Sequence, residues 1–166
     1  LTLVRDGTAE SVIVFPKGKR TMTPGKMGEK SLWQVVLDFQ KTLEKISGAK
    51  IPIVSPEEAP TEGTRIYIGE AVPETLRRGE DKELDPRGYW IIAGPDVLAL
   101  RGKTEGGTIN ALYGFLQDKL GVRWFFPSDL FEVIPKQSTV SIPFGEQMFN
   151  PSFKGGMFVN SSGVNR

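Results

Sequence analysis

Cysteine and histidine are both absent from the 166 residues of this chain. The first absence excludes a disulfide framework, a thiolate nucleophile and any zinc site of the sulfur type. The second excludes a Ser-His-Asp triad, a His-ligated metal and the side chain most often used as an acid or base near neutral pH. Only carboxylate, lysine or tyrosine chemistry is left. The lack of cysteine leaves the compartment open, because a thiol-free domain is stable in reducing and oxidising spaces alike. No apolar run approaches the ~18 to 20 residues of a membrane span. The opening "LTLVRDGTAE" lacks the basic start and long apolar core of a signal peptide, and it begins on Leu rather than Met, as expected of a processed or trimmed chain. An excess of one charge is missing too. With 21 Lys+Arg against 20 Asp+Glu, the net charge of +1 gives no general attraction for nucleic acid or an anionic membrane.

The residues present describe an ordinary globular domain, 39% hydrophobic and 25% charged. A chain of this length can bury roughly two thirds of its unfolded surface in a single core. "LTLV", the turn "RDGT" and "SVIVFP" predict a hairpin about Asp6-Gly7. From Glu29 to Ile46, six apolar residues (Leu32, Val35, Val36, Phe39, Leu43 and Ile46) form one stripe at helical spacing, closed by Gly48. "IPIV" and "TRIYIGE" predict short strands, and "RGYWIIAGPDVLALRG" predicts a hairpin turning at Gly94-Pro95-Asp96. A second helix follows, with Thr108 as its expected N-cap, Ile109, Leu112, Phe115, Leu116 and Leu120 on its apolar face, and Gly121 as its stop. "VRWFFP", "FEVIP" and "STVSIP" predict extended segments. The expected core is Val12, Val14, Val36, Phe39, Leu43, Ile66, Ile68, Ile92, Leu98, Leu112, Leu116 and Leu120. This order of elements predicts a mixed sheet with two main helices packed on one face, in an α+β or α/β layered domain.

"RGKTEGGT", residues 101–108, is the stretch closest to a phosphate loop. A P-loop of the form Gly-x4-Gly-Lys-[Ser/Thr] would require glycine at position 97, which is Val97, and Glu105 sits where an anion would bind. The glycines are therefore expected to permit a tight connection from strand to helix. No Gly-x-Gly-x-x-Gly dinucleotide motif occurs, so no cofactor is expected. Glu57, Glu58, Glu80, Asp81 and Glu83 read as solvated charges. Asp129 and Glu132 lie close behind the aromatic run "WFFP", where a turn cap or an ion pair with Arg123 is expected. Consecutive bulky residues in an extended segment point to both faces, so part of Trp124-Phe125-Phe126 should be exposed or covered by another body. Trp124 and Tyr89 are the aromatic platforms that a sugar ring could stack on.

The segment from "LALRGKTEGG" through "LGVRWFFPSDLFEVIPK" resembles the domain that precedes the catalytic barrel in α-glucuronidases, β-N-acetylhexosaminidases, α-N-acetylglucosaminidases and many bacterial relatives. The matching positions are Ala111, Tyr113, Leu116, Leu120, Gly121, Val122, Arg123, Trp124, Phe125 and Pro127, followed by Glu132 to Lys136. The first half resembles the family in element order alone. The resemblance implies an α+β domain, hexosaminidase domain 2-like, that serves as a non-catalytic companion to a (β/α)8 glycosidase barrel. It implies an accessory domain over residues 1–145, with residues 146–166 a linker or the start of the barrel. It also implies a periplasmic or extracellular location, a partner domain in the same polypeptide, and no catalytic residue, cofactor or metal within this chain. Arg123, Trp124, Phe126 and Asp129 are the candidate contacts to that domain or to glycan. The alternative is a carbohydrate-binding module that uses exposed aromatics. In "NPSFKGGMFVN", Gly155 and Gly156 stand where relatives often carry an arginine, and this departure leaves the substrate class open.

Overall fold

The computed structural model describes residues 1–22, 30–77, 84–125 and 132–152. Phe126, Pro127 and Asp129, the charge run at 80–83 and the tail from 153 lie outside the described residues. The strands are β1 (Thr2–Arg5), β2 (Thr8–Ala9), β3 (Ser11–Val14), β4 (Ile53–Val54), β5 (Thr64–Ile68), β6 (Tyr89–Ala93), β7 (Val97–Gly102), β8 (Arg123–Trp124), β9 (Glu132–Val133), β10 (Val140–Ser141) and β11 (Gly145–Phe149). Helix α1 spans Leu32–Ser47 and α2 spans Glu105–Gly114, with a π-helical turn at Phe115–Lys119 continuing α2. The main sheet has six strands in the order β11-β6-β7-β5-β3-β4. Its β7-β5-β3-β4 part is parallel and its β11-β6-β7 part antiparallel, so the sheet is mixed.

The two faces of this sheet differ because side chains alternate along each strand. Ile13, Ile66, Ile68, Leu98, Leu100, Ile91 and Tyr89 point to one face and join Val36, Phe39, Leu43, Leu112, Phe115 and Leu116 in one buried cluster. Both helices therefore cover the same face, and the architecture is the expected α+β. The other face carries a smaller cluster of Ile92, Ala99 and Val72, with Tyr67 and Leu76 packed against it. Ile92 is thus buried, but on the side away from the helices. Val12 is half-buried rather than core, while Val14, on the same face, is fully buried as expected.

Local chemistry explains the helix ends. Ser31 caps α1 in a capping box, its hydroxyl accepting from the Gln34 amide while the Gln34 side chain accepts from the Ser31 amide. Gly48, at φ 78, ends the helix in the left-handed region. The last carbonyls of α1 are also satisfied from outside, because Gln137 N donates to Ile46 O at 3.0 Å and Lys136 Nζ donates to Lys45 O. Gly121, at φ 71, ends the second helical segment as expected.

Two expectations are corrected. The Asp6-Gly7 turn does join two antiparallel strands, but the second arm is only β2; β3 leaves the hairpin and runs parallel to β4 and β5. Both turn residues have positive φ, 47 and 76, as a two-residue hairpin loop requires. The N-cap of α2 is Thr104, whose hydroxyl accepts from Gly107 N at 3.1 Å. Thr108 lies in the first turn instead, buried, bridging Gly102 N and Thr104 O. Strand β11 pairs with β6 from Gly145↔Ala93 to Phe149↔Tyr89.

The loop 101–108 is a strand-to-helix connection. Gly102 and Gly107 touch backbone to backbone, and a Cβ on Gly107 would lie 2.5 Å from Gly88 O. The free end of α1 is capped from this loop, because Glu105 Oε1 accepts from Leu32 N at 3.1 Å. A carboxylate at a helix N-terminus also complements the positive end of the helix dipole. The glycines thus serve chain geometry.

Candidate functional site

Helices α1 and α2 leave a cleft of about 700 Å³ between their outward sides, closed at one end by the small β8–β9 ribbon. Its floor is apolar, made by Val35 and Phe39 of α1 and by Leu112 and Leu116. Its wall is aromatic. The ring of Trp124 meets that of Tyr113 edge-on, with centroids 5.5 Å apart, and Phe125 beside them is 71% exposed. Burial pushes the Tyr113 phenol above its ordinary range, so it stays neutral and can only donate or accept a hydrogen bond.

Glu132 fixes the orientation of Trp124. The register of β8 and β9 sets the two residues opposite one another, and Trp124 Nε1 donates to Glu132 Oε1 at 3.0 Å. The other oxygen of Glu132 accepts from Lys45 Nζ of α1 at 2.7 Å, which ties the ribbon to the helix. Lys45 foremost, and then the indole, hold the Glu132 carboxyl below its ordinary range against the opposing effect of burial. At the far end of the cleft Lys30 and Asp38 pair at 2.5 Å, raising the lysine above its usual value. Lys41 lines the same rim one helical turn before Lys45.

Of the four sequence-predicted contacts, Trp124 stands in the cleft, while Phe126 and Asp129 lie outside the described residues. Arg123 is turned the other way, with its guanidinium donating to Gln117 O at 2.6 Å and Val122 O at 2.8 Å, where it caps the end of the second helical segment. The acid Glu132 pairs with Lys45 rather than with Arg123. Tyr89 cannot be a platform for sugar. It is 5% exposed, stacked on Phe149 at 5.1 Å, with Gly114 packed against its phenol. Tyr113 and the Lys41/Lys45 pair were not predicted as members of the site. The signal for the lysines was present, since residues four apart on a helix share a face.

An aromatic wall over an apolar floor, rimmed by paired charges, suits the burial of a flat or apolar surface, with a few polar groups to orient it. Among the described residues its two carboxylates, Asp38 and Glu132, form ion pairs with Lys30 and Lys45. Among the described residues no group of three His, Cys, Asp or Glu side chains is placed to hold a metal ion. No helix among them is long and apolar enough to cross a membrane.

No family model and no curated protein sequence matches this chain. Solved structures do. The fold matches part of a family GH115 4-O-methyl-α-glucuronidase, described as specific for decorated arabinogalactans, with a TM-score of 0.65 and 14% sequence identity. That alignment covers 93% of this chain but 19% of the glucuronidase chain. The chain therefore has the α+β fold of a region within a much longer glycoside hydrolase.

Proposed function

We propose that this chain is the N-terminal accessory domain of a bacterial glycoside hydrolase, without turnover of its own, that supports an adjacent catalytic barrel in the same polypeptide. The observation that carries this reading is the asymmetry of the structural match: nearly the whole chain aligns with about a fifth of a glucuronidase. A hexosaminidase domain 2-like assignment rests on the block from Ala111 to Lys136, and a periplasmic or extracellular location accompanies it. The cleft walled by Trp124 and Phe125 is the surface offered to the barrel, with Phe126 and Asp129 following in sequence as further contacts. Arg123 acts there by holding the helix end from which the ribbon departs.

Two measurements test the proposal. Aryl glycosides incubated with this chain should show no hydrolysis above buffer, and the reading frame beyond the Arg166 codon should encode a (β/α)8 barrel. Robust hydrolysis abolished by Glu132→Ala, or a stop codon directly after Arg166, overturns it.

A second reading, a carbohydrate-binding module, is favoured by one observation: Trp124 and Phe125 reach solvent at the mouth of the cleft. Titration with oligosaccharide at millimolar concentration should then shift tryptophan fluorescence, and Trp124→Ala should abolish the shift.

A further inference from the structure

A second crevice, of about 350 Å³, lies over the carboxyl ends of the parallel strands, where Phe15 follows β3, Gly69 follows β5 and Gly102 closes β7. From β3 the chain runs through α1 to β4 on one side, whereas from β5 it continues to β6 and β7 on the other. This divergence opens a gap beyond the strand ends, the position where open sheets of this kind take their ligands.

The chemistry of the crevice is cationic. Among the described residues, Lys19, Arg77, Arg101 and Lys103 line it against two carboxylates, Glu70 and Glu105. Both carboxylates already have work, Glu70 pairing with Lys19 at 3.2 Å and Glu105 capping α1 at Leu32 N. Arg77 and Lys103 are held by neutral groups. Arg77 donates from Nε to Val72 O and from Nη2 to Glu70 O, both at 2.8 Å, and Lys103 Nζ donates to Leu84 O at 3.0 Å. Backbone carbonyls orient these two cations without neutralising them, and each keeps further N–H donors. In the glycine-rich loop the amides of Gly107 and Gly102 already donate to the hydroxyls of Thr104 and Thr108.

We propose that this crevice binds a small molecule through an oxyanion, carboxylate or phosphate, held by the side chains of Arg77 and Lys103. Its volume suits a ligand about as large as a monosaccharide, near the lower end of ordinary ligand pockets, roughly 300 Å³ upward. Phe15 and Leu32 provide an apolar wall for the rest of the molecule. The site is separate from the cleft at Trp124 and does not depend on an adjacent catalytic domain.

Calorimetric titration of the chain with inorganic phosphate, D-glucuronate and D-glucose tests the proposal. Saturable binding of at least one anion at millimolar concentration or below, weakened by added salt, is expected, with none of glucose. Phosphate alone would identify free phosphate as the source of the oxyanion, and glucuronate alone a sugar acid. Lys103→Met and Arg77→Met should each weaken binding about tenfold, and Lys103→Arg should largely restore it. Should the methionine variants unfold, Glu70→Gln provides the second test: removing a carboxylate from the exposed rim should tighten binding about threefold. No saturable heat with either anion overturns the proposal. So does unchanged affinity in a folded Lys103→Met or in Glu70→Gln.

Discussion

A methyl group added to Gly102 would occupy the space of the Gly107 carbonyl carbon. The end of β7 and the first turn of α2 are thus in backbone contact, and neither residue can carry a side chain without moving a structural element. Gly102→Ala should destabilise the fold by about 3 kcal/mol, the upper part of the range for overpacked sites, read as a lower urea midpoint at unchanged slope. Gly106 is the control within the same loop. A Cβ there meets nothing nearer than Thr104 Oγ1 at 3.7 Å, and the residue is helical. Gly106→Ala should therefore raise stability by about 0.5 to 1 kcal/mol. Equal effects at the two positions would remove the geometric account of this loop.

Leu116 joins the π-helical turn to the core, and only 2% of it is exposed. The turn directs Phe115 and Leu116 together into the cluster beneath α1, where Phe115 meets Phe39 with ring centroids 5.9 Å apart. Leu116→Ala should cost about 2 to 5 kcal/mol in chemical denaturation, because the rigid surroundings leave a cavity. A loss within measurement error would place the second helical segment elsewhere.

What the sequence made legible was the pattern that one element imposes on itself. The stripe from Leu32 to Ile46 and the stop at Gly48 define α1 almost residue by residue, since helical period and left-handed glycine are local properties. The Asp6-Gly7 and Gly94-Pro95-Asp96 turns were legible for the same reason. The partner of β3 was not, because its choice between β2 and the distant β5 depends on tertiary packing. The N-cap of α2 was misplaced at Thr108 because two glycines ahead of it look like loop; only the contact of Gly107 with Gly102 and Gly88 explains glycine inside a helix. In the cleft, Trp124 was visible as a bulky residue in an extended run and the Lys41/Lys45 pair as one helix face, whereas Tyr113 joins them through helix packing that no local pattern encodes.

The bridge from Trp124 through Glu132 to Lys45 is pH-sensitive. Glu132 is held below its usual 4.5 in the folded chain, so its contribution is fully present above that pH and lost as pH falls through the lowered folded value. Glu132→Gln keeps an acceptor for the indole but loses the ion pair. It should cost about 1 kcal/mol at pH 7, a modest figure because Lys45 is partly exposed. The difference from the parent chain should shrink on acidification below 4.5, and tryptophan emission should shift over the same range. A difference that grows on acidification would mean that Lys45 does not stabilise the carboxylate.

Glu58 offers a second pH window, just after the edge strand β4. Its carboxylate accepts from Lys17 Nζ at 2.5 Å, from Ser55 N at 3.2 Å and from the Ser55 hydroxyl at 3.1 Å. Lys17 foremost, then the Ser55 amide and hydroxyl, lower it from 4.5 to about 2. Because the folded value is the lower one, the linked stability is complete above 4.5 and is lost progressively as pH falls toward about 2. Glu58→Gln should lower the melting temperature at pH 7, and the gap should close as pH approaches 2. The group is solvent-facing, so added salt should narrow the neutral-pH gap by screening Lys17. Melting curves with one constant gap from pH 7 to pH 2 would show that the Ser55 box works without the charge of Glu58.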